Sequence, residues 1–542
     1  MKNFKDKVIY QIYPKSFMDT TGNGLGDLKG IIEKLDYLEM LGVDYLWITP
    51  FFKSPQNDNG YDIEDYYKID PIYGSMGDLE ELIAKAREKN IYLMLDMVFN
   101  HTSTNHIWFQ KALAGDEEYK DYYFFKDNTG KQPTNWESKF GGSAWEYVED
   151  LDQYYLHLFD KSQADLNWEN PNVRKELTKV LNFWLEKGIR GFRFDVINLI
   201  SKDKFEDDYE GDGRRFYTDG KKVLEYLQEL NENSFGNYDD VLTVGEMSST
   251  SIDNCIKYTN PENHALDMAF NFHHLKVDYK DGEKWSYIPV NFEEFKDILE
   301  KWQIGMEEGN GWNALFLNCH DQPRSVSRFG NDKKYLKESA KMLATIIHMQ
   351  EGTPYIYQGE EIGMTNNYFA DISGYRDVET TNYYHILKEK NINEEEIRKI
   401  IQTKSRDNAR SPMQWTDLGG FTEKVAWIKE NSNKKYINVE NNLKDPDSIF
   451  YYYKKLIEIR KKYKVISHGS FERVFKNEKN IYAFKRKYNN REALVVNNIS
   501  EDRVIIKIEN IEKYEVLISN YKESKIYDKL SLRPYESIVL YK

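Results

Sequence analysis

Eight short apolar runs, separated by stretches with helical periodicity, predict a (β/α)8 barrel with an inserted domain and a C-terminal antiparallel β domain. Three observations carry that expectation. The early runs are near-continuously apolar, as in strands buried on both faces of a parallel sheet. Helix-period segments fall between them, as crossover connections require. Their number matches a barrel, although a count alone does not exclude an open doubly wound sheet.

In chain order, Val8 to Tyr13 forms the first run, and an amphipathic stretch through Leu28, Ile31, Ile32, Leu35 and Leu38 follows. Val43 to Thr49 is the second, a helix pattern near Asp78 to Lys89 comes next, and Ile91 to Phe99 is the third. From about His101 to Leu166 the alternation fails and Tyr, Trp, Gly and Asp dominate, so 101–166 is assigned to an insertion after the third strand. Gly191 to Val196, Val241 to Glu246, Leu266 to Phe270, Ala314 to Asn318 and Pro354 to Gln358 complete the eight. Residues 379–404 read as a charged helical excursion. From about Ser467 the texture changes to short alternating strands at Asn480 to Lys485, Ala493 to Asn498 and Arg503 to Ile508. The barrel is thus expected over 1–100 and 167–466, the insertion over 101–166 and the β domain over 467–542.

A formal net charge of −15 disfavours nucleic acid and anionic membrane surfaces as partners. Cys255 and Cys319 are too few for a disulfide framework and lack metal-type spacing. No run of about 18 apolar residues is present, and Met1 to Tyr10 lacks a signal-like apolar core. The expectation is a cytoplasmic monomer acting on a small molecule.

In such a barrel, reactive groups belong at the C-terminal strand ends. Asp195 closes Gly191-Phe192-Arg193-Phe194-Asp195, Glu246 closes Thr243-Val244-Gly245-Glu246, and Asp321 follows Leu317-Asn318-Cys319-His320. A single acid at a strand end is more often a helix cap, but three from different strands suit glycosidic cleavage, which pairs a nucleophile or base with a proton donor. Arg193 shares the strand face of Asp195 and is expected to keep it ionised, whereas the apolar run before Glu246 is expected to favour its protonated form.

Asp96-Met97-Val98-Phe99-Asn100-His101, the two segments ending at Asp195 and Glu246, and Asn318-Cys319-His320-Asp321-Gln322 resemble the four ordered signature segments of the α-amylase family of glycoside hydrolases. The resemblance implies that Asp195 is the nucleophile, Glu246 the general acid/base and Asp321 the transition-state stabiliser. It also implies that Asp62, in Asn59-Gly60-Tyr61-Asp62, and Arg406 fix the non-reducing glucose and close the pocket, as in exo-acting members. Tyr61 would stack on the sugar, and His101 and His320 would bond its hydroxyls.

Three further stretches, Gly211 to Gly220, Phe270 to Tyr279 with Gly282-Glu283-Lys284-Trp285, and Gly311 to Phe316, resemble members that hydrolyse trehalose 6-phosphate to glucose and glucose 6-phosphate. The alternative is oligo-1,6-glucosidase activity on isomalto-oligosaccharides. A dianionic substrate in so acidic a chain needs local cations, and Arg214, Arg215, His273, His274, Lys276 and Lys284 are the candidates. For Arg214 and Arg215, pairing with Asp207, Asp208, Glu210 and Asp212 is an equal alternative.

Asp19, Thr21, Asn23, Leu25 through its carbonyl, and Asp27 alternate along a Gly-rich loop that resembles a family calcium loop. Thr21, Asn23 and Gly30 depart from the usual ligands, so either structural Ca²⁺ or an ordinary turn is expected there. No cofactor is expected for the chemistry, because a retaining glycosidase needs none.

Overall fold

The computed structural model describes residues 4–522 and 529–542. Each of the eight apolar runs coincides with a strand, the last shifted by one residue: β1 (Ile9–Ile12), β2 (Tyr45–Ile48), β3 (Tyr92–Met97), β4 (Gly191–Phe194), β5 (Leu242–Glu246), β6 (Met268–Phe270), β7 (Ala314–Leu315) and β8 (Thr353–Tyr357). They are parallel, in the order β6-β5-β4-β3-β2-β1-β8-β7. A parallel bridge between Ala269 and Asn313 closes the ring between β6 and β7. Inside, the Phe270 ring lies 5.6 Å from that of Trp47 and 4.5 Å from that of Tyr355, so aromatic side chains fill the barrel beneath the site.

The outer helices follow from their caps and apolar faces. Met76–Glu88 begins with a Ser75/Asp78 capping box and buries Leu79, Leu82 and Ala86. Pro171–Glu186 begins with Asn170 as N-cap and Pro171 in the first turn, and buries Val173, Leu177, Val180, Leu181, Trp184 and Leu185. The charged excursion forms two helices, Val378–Glu389 and Glu394–Lys404.

The segment after β3 leaves and returns on an antiparallel stem, His101–Ser103 against Gln163–Asp165. Beyond it, Phe125–Asp127, Gln153–Leu156 and Trp145–Val148 form a three-stranded antiparallel sheet. The long loop after β4 packs onto this insertion: Trp136 stacks on Phe205 at 5.4 Å and on Phe216 at 5.9 Å, and its Nε1 donates to the Glu206 carbonyl at 2.8 Å. A hairpin of Phe52–Lys53 with Asp65–Ile69 holds the loop after β2, a pairing too short to leave a periodic signal in the sequence.

At the C-terminus, β9 (Ser470–Val474), β10 (Ile481–Tyr488), β11 (Arg491–Asn498), β12 (Glu515–Ser519) and β13 (Ser537–Tyr541) form an antiparallel sheet in the order β9-β10-β11-β13-β12. Val504–Lys507 pairs instead with Lys529–Leu532. A buried arginine joins this region to the barrel: Arg486 donates to the Met349 carbonyl at 3.0 Å. No helix of the described residues is long and apolar enough to cross a membrane.

Candidate active site

The ends of β3, β4 and β5 bring one guanidinium against three carboxylates. Arg193 stands opposite Asp96 of β3 and Val244 of β5, and Glu246 lies two residues further along β5 on the same face. Its Nη1 donates to Asp96 Oδ1 at 2.5 Å and Asp195 Oδ1 at 2.8 Å, and its Nη2 meets Glu246 Oε2. Asp96 also accepts from Trp47 Nε1 at 3.0 Å and from the Tyr61 hydroxyl at 2.9 Å. Burial pushes the Asp96 pKa up to about 7, against the pull of Arg193. The guanidinium contacts both Asp195 and Glu246. Val196, directly after Asp195, lines the pocket with φ of +35°, a left-handed conformation that is strained for a β-branched residue.

A second ionic group lies across the pocket. Asp321 Oδ1 is 2.9 Å from Arg410 Nη2 and 3.2 Å from Arg406 Nη1, and Oδ2 is 3.0 Å from His320 Nε2. Burial alone would raise the Asp321 pKa, but His320, Arg406 and Arg410 overcome it and hold the carboxyl well below the usual range. Arg406 also donates to Asp377 Oδ1 at 2.9 Å through Nε and 2.5 Å through Nη2, and its guanidinium lies 4.9 Å from the centre of the Phe140 ring. Tyr61 lines the pocket, but one ring face is stacked on His320 at 5.1 Å. His101 lines it too, with Nε2 3.1 Å from the Tyr61 carbonyl and 3.1 Å from Gln163 Nε2.

The assignment of Asp62 to the pocket is corrected. Its carboxylate is fully buried and accepts from Ser54 Oγ at 3.0 Å and from the backbone N–H groups of Asn57 at 2.8 Å and Asp58 at 3.0 Å. Asp62 therefore shapes the loop after β2. Asp58, four residues earlier in that turn, lines the pocket and accepts from Arg406 Nη2 at 3.2 Å. The sequence contained both acids, but only the turn decides which faces inward.

These groups enclose a pocket of about 210 Å³, walled by Phe140, Phe159 and Gln163 of the insertion. Sequence reasoning missed these three along with Asp58, Asp377 and Glu379. Two glycines at positive φ, Gly141 and Gly142, follow Phe140 and were the available sign of a tight turn there.

The six cation candidates separate sharply. Arg214 pairs with Asp212 at 2.7 Å, and Arg215 with Asp208 at 2.9 Å and Glu210 at 3.0 Å, so the ion-pair alternative holds for both. His273 Nε2 is 2.8 Å from the Thr250 carbonyl, and His274 Nε2 is 2.8 Å from that of Phe316. Burial lowers both pKa values, that of His274 to about 4, which removes them as cationic anion ligands at neutral pH. Lys284 lines the pocket but is held by both oxygens of Glu379, at 2.8 and 2.6 Å. Lys276 lines it with Nζ 3.5 Å from Ser249 Oγ, and no carboxylate of the described residues pairs with it.

The side chains of the Gly-rich loop make local hydrogen bonds. Asp19 accepts from the backbone N–H groups of Thr21, Gly22 and Gly24, Asn23 Oδ1 from that of Leu25, and Asp27 caps the helix Leu28–Glu33. No group of three or more His, Cys, Asp or Glu residues able to hold a metal occurs among the described residues.

A barrel with three strand-end carboxylates in one pocket defines a glycoside hydrolase framework, and the comparisons with known proteins agree. The alpha amylase catalytic domain matches residues 11–469, and the alpha-amylase SusG C-terminal domain matches 481–539. The chain belongs to the α-amylase family. It is 56% identical to the trehalose-6-phosphate hydrolase of Bacillus subtilis (strain 168), covering 99% of this chain and 97% of that protein. It is 48% identical to an oligo-1,6-glucosidase of Bacillus cereus, over 99% and 98%. Among solved structures, the trehalose-6-phosphate hydrolase of Bacillus licheniformis superposes with a TM-score of 0.95 at 55% identity, over the whole of both chains.

Proposed function

We propose that this chain is a retaining α-glucosidase that hydrolyses trehalose 6-phosphate to glucose and glucose 6-phosphate. Asp195 attacks the anomeric carbon while Glu246 protonates the departing glycosidic oxygen, which leaves a glucosyl ester on Asp195. Glu246 then takes a proton from water as the water oxygen displaces Asp195, and α-glucose is released. Asp321, held ionised between Arg406 and Arg410, carries the negative charge that favours the oxocarbenium-like transition state. Asp58 and Arg406 form the end that receives the non-reducing glucose. A dianionic sugar that does not cross membranes unaided suits a cytoplasmic enzyme, and we take it to act as a monomer.

The observation that carries the substrate is Lys276. An ammonium that pairs with no carboxylate of the described residues stands in a pocket lined by Asp58, Asp195, Glu246, Asp321 and Glu379, and a neutral disaccharide would not compensate its desolvation. The 56% identical relative bears the matching activity in its name. The oligo-1,6-glucosidase reading is favoured by one feature, the Lys284–Glu379 pair, which neutralises the other pocket lysine. Glucose release from trehalose 6-phosphate, trehalose and isomaltose, compared side by side, decides between them. Trehalose 6-phosphate is expected to be cleaved fastest, with the α anomer seen first by NMR; faster cleavage of isomaltose would replace this reading with the alternative.

A further inference from the structure

We propose that Lys139 of the inserted segment is a second phosphate-binding residue, which together with Lys276 and the paired hydroxyls of Ser248 and Ser249 forms an oxyanion cradle at the pocket mouth. The inference rests on the substrate reading above and assigns the residues that would carry its selectivity.

The placement starts at β5. Ser248 and Ser249 follow Glu246 by two and three residues, and both line the pocket. Lys139 Nζ is 3.3 Å from Ser248 Oγ, and Lys276 Nζ is 3.5 Å from Ser249 Oγ. Two ammonium groups from distant parts of the chain are thus presented on adjacent serines next to the acid/base. The backbone fixes Lys139 firmly, because its N–H donates to the Leu158 carbonyl at 2.9 Å and its neighbour Ser138 donates through Oγ to the Phe159 carbonyl at 2.7 Å. Phe140, the next residue, lines the pocket itself.

The charge balance at this point is unlike that of the other cations near the mouth. Neither lysine is ion-paired among the described residues, while Arg214 and Lys284 each have a carboxylate. The charged groups acting on Lys139 are Arg214 and Lys276, which disfavour its charge, and Asp212 and Asp165, which favour it. Those two acids are themselves engaged, Asp212 with Arg214 and Asp165 with Lys202 at 2.8 Å. Burial is the largest influence and brings the Lys139 pKa down to about 7. Two desolvated ammoniums held near each other are unfavourable in the empty pocket and favourable once a dianion lies between them.

The experiment compares the unmodified enzyme with Lys139→Met, Lys139→Arg and Lys276→Met on trehalose 6-phosphate and on an aryl α-glucoside. The ratio of the two kcat/KM values is expected to fall about ten-fold to a hundred-fold in each methionine variant, mainly through KM, with Lys139→Arg recovering much of it. Glucose 6-phosphate should compete with the aryl substrate in the unmodified enzyme more weakly after Lys139→Met, while inhibition by glucose stays the same. A ratio that does not change in Lys139→Met, or a loss shared equally by both substrates, overturns the cradle. If the unmodified enzyme prefers isomaltose, the substrate reading fails separately, and the glucose 6-phosphate competition still reports whether Lys139 binds the anion.

Discussion

The inner end of the pocket and its mouth are built on opposite electrostatic plans. Inside, every charge is locked to another: Arg193 to Asp96, Asp195 and Glu246, and Arg406 to Asp58, Asp321 and Asp377. At the mouth, Lys276 and Lys139 rest on serine hydroxyls, and neither has a carboxylate partner among the described residues. Interlocked ions hold catalytic groups in one geometry and lose heavily when one partner is removed. Unmatched cations are left to be matched by the ligand. The contrast separates a set of mutually paired ions from two lysines, one in the insertion and one after β6, that have no carboxylate partner among the described residues.

The largest effect that would test the contrast is at the inner end. Asp195→Asn should lower kcat by about 10⁴-fold or more on every substrate, with the circular dichroism spectrum and substrate binding retained. A variant with near-normal kcat would remove Asp195 from the nucleophile role. Next, Arg406→Ala should leave buried carboxylates uncompensated, so a loss of about 3 to 5 kcal/mol in unfolding free energy should accompany a general fall in activity. Denaturant unfolding with parallel assays on both substrates checks this; an effect confined to trehalose 6-phosphate would place Arg406 with the mouth instead. Substitutions at Lys139 and Lys276 occupy the middle of the scale, as selective losses.

The smallest expected effect concerns pH. Burial raises the Asp58 pKa to about 7 against the opposing pull of Arg406. Below about pH 4 the group is protonated in folded and unfolded chains alike; between about 4 and 7 only the unfolded chain ionises freely, so stability from this group is lost as pH rises through that window. Asp58→Asn should therefore reduce the pH dependence of unfolding between pH 4 and 7 by up to about one proton. An unchanged slope would mean that Asp58 is ionised throughout.

Much of this is legible in the sequence. Continuous apolar runs marked all eight strands, because a strand buried on both faces has no solvent side to interrupt it. The acids at three strand ends were visible because a barrel collects those ends at one mouth. The short hairpin after β2 was not, since two residues carry no periodicity. Nor was the choice between Asp58 and Asp62, which depends on how one tight turn points two acids of the same chemistry.

By itself, the sequence determined the succession of strands and helices, the positions of Asp195, Glu246 and Asp321 along them, and the family to which the chain belongs. Only the tertiary structure decided which cations remain unmatched. Lys284 is neutralised by Glu379, 95 residues away, and Lys276 stands beside Ser249 with no acid partner among the described residues. Ion pairing is set by separations of a few ångströms between residues remote in the chain, and local sequence pattern carries no record of them.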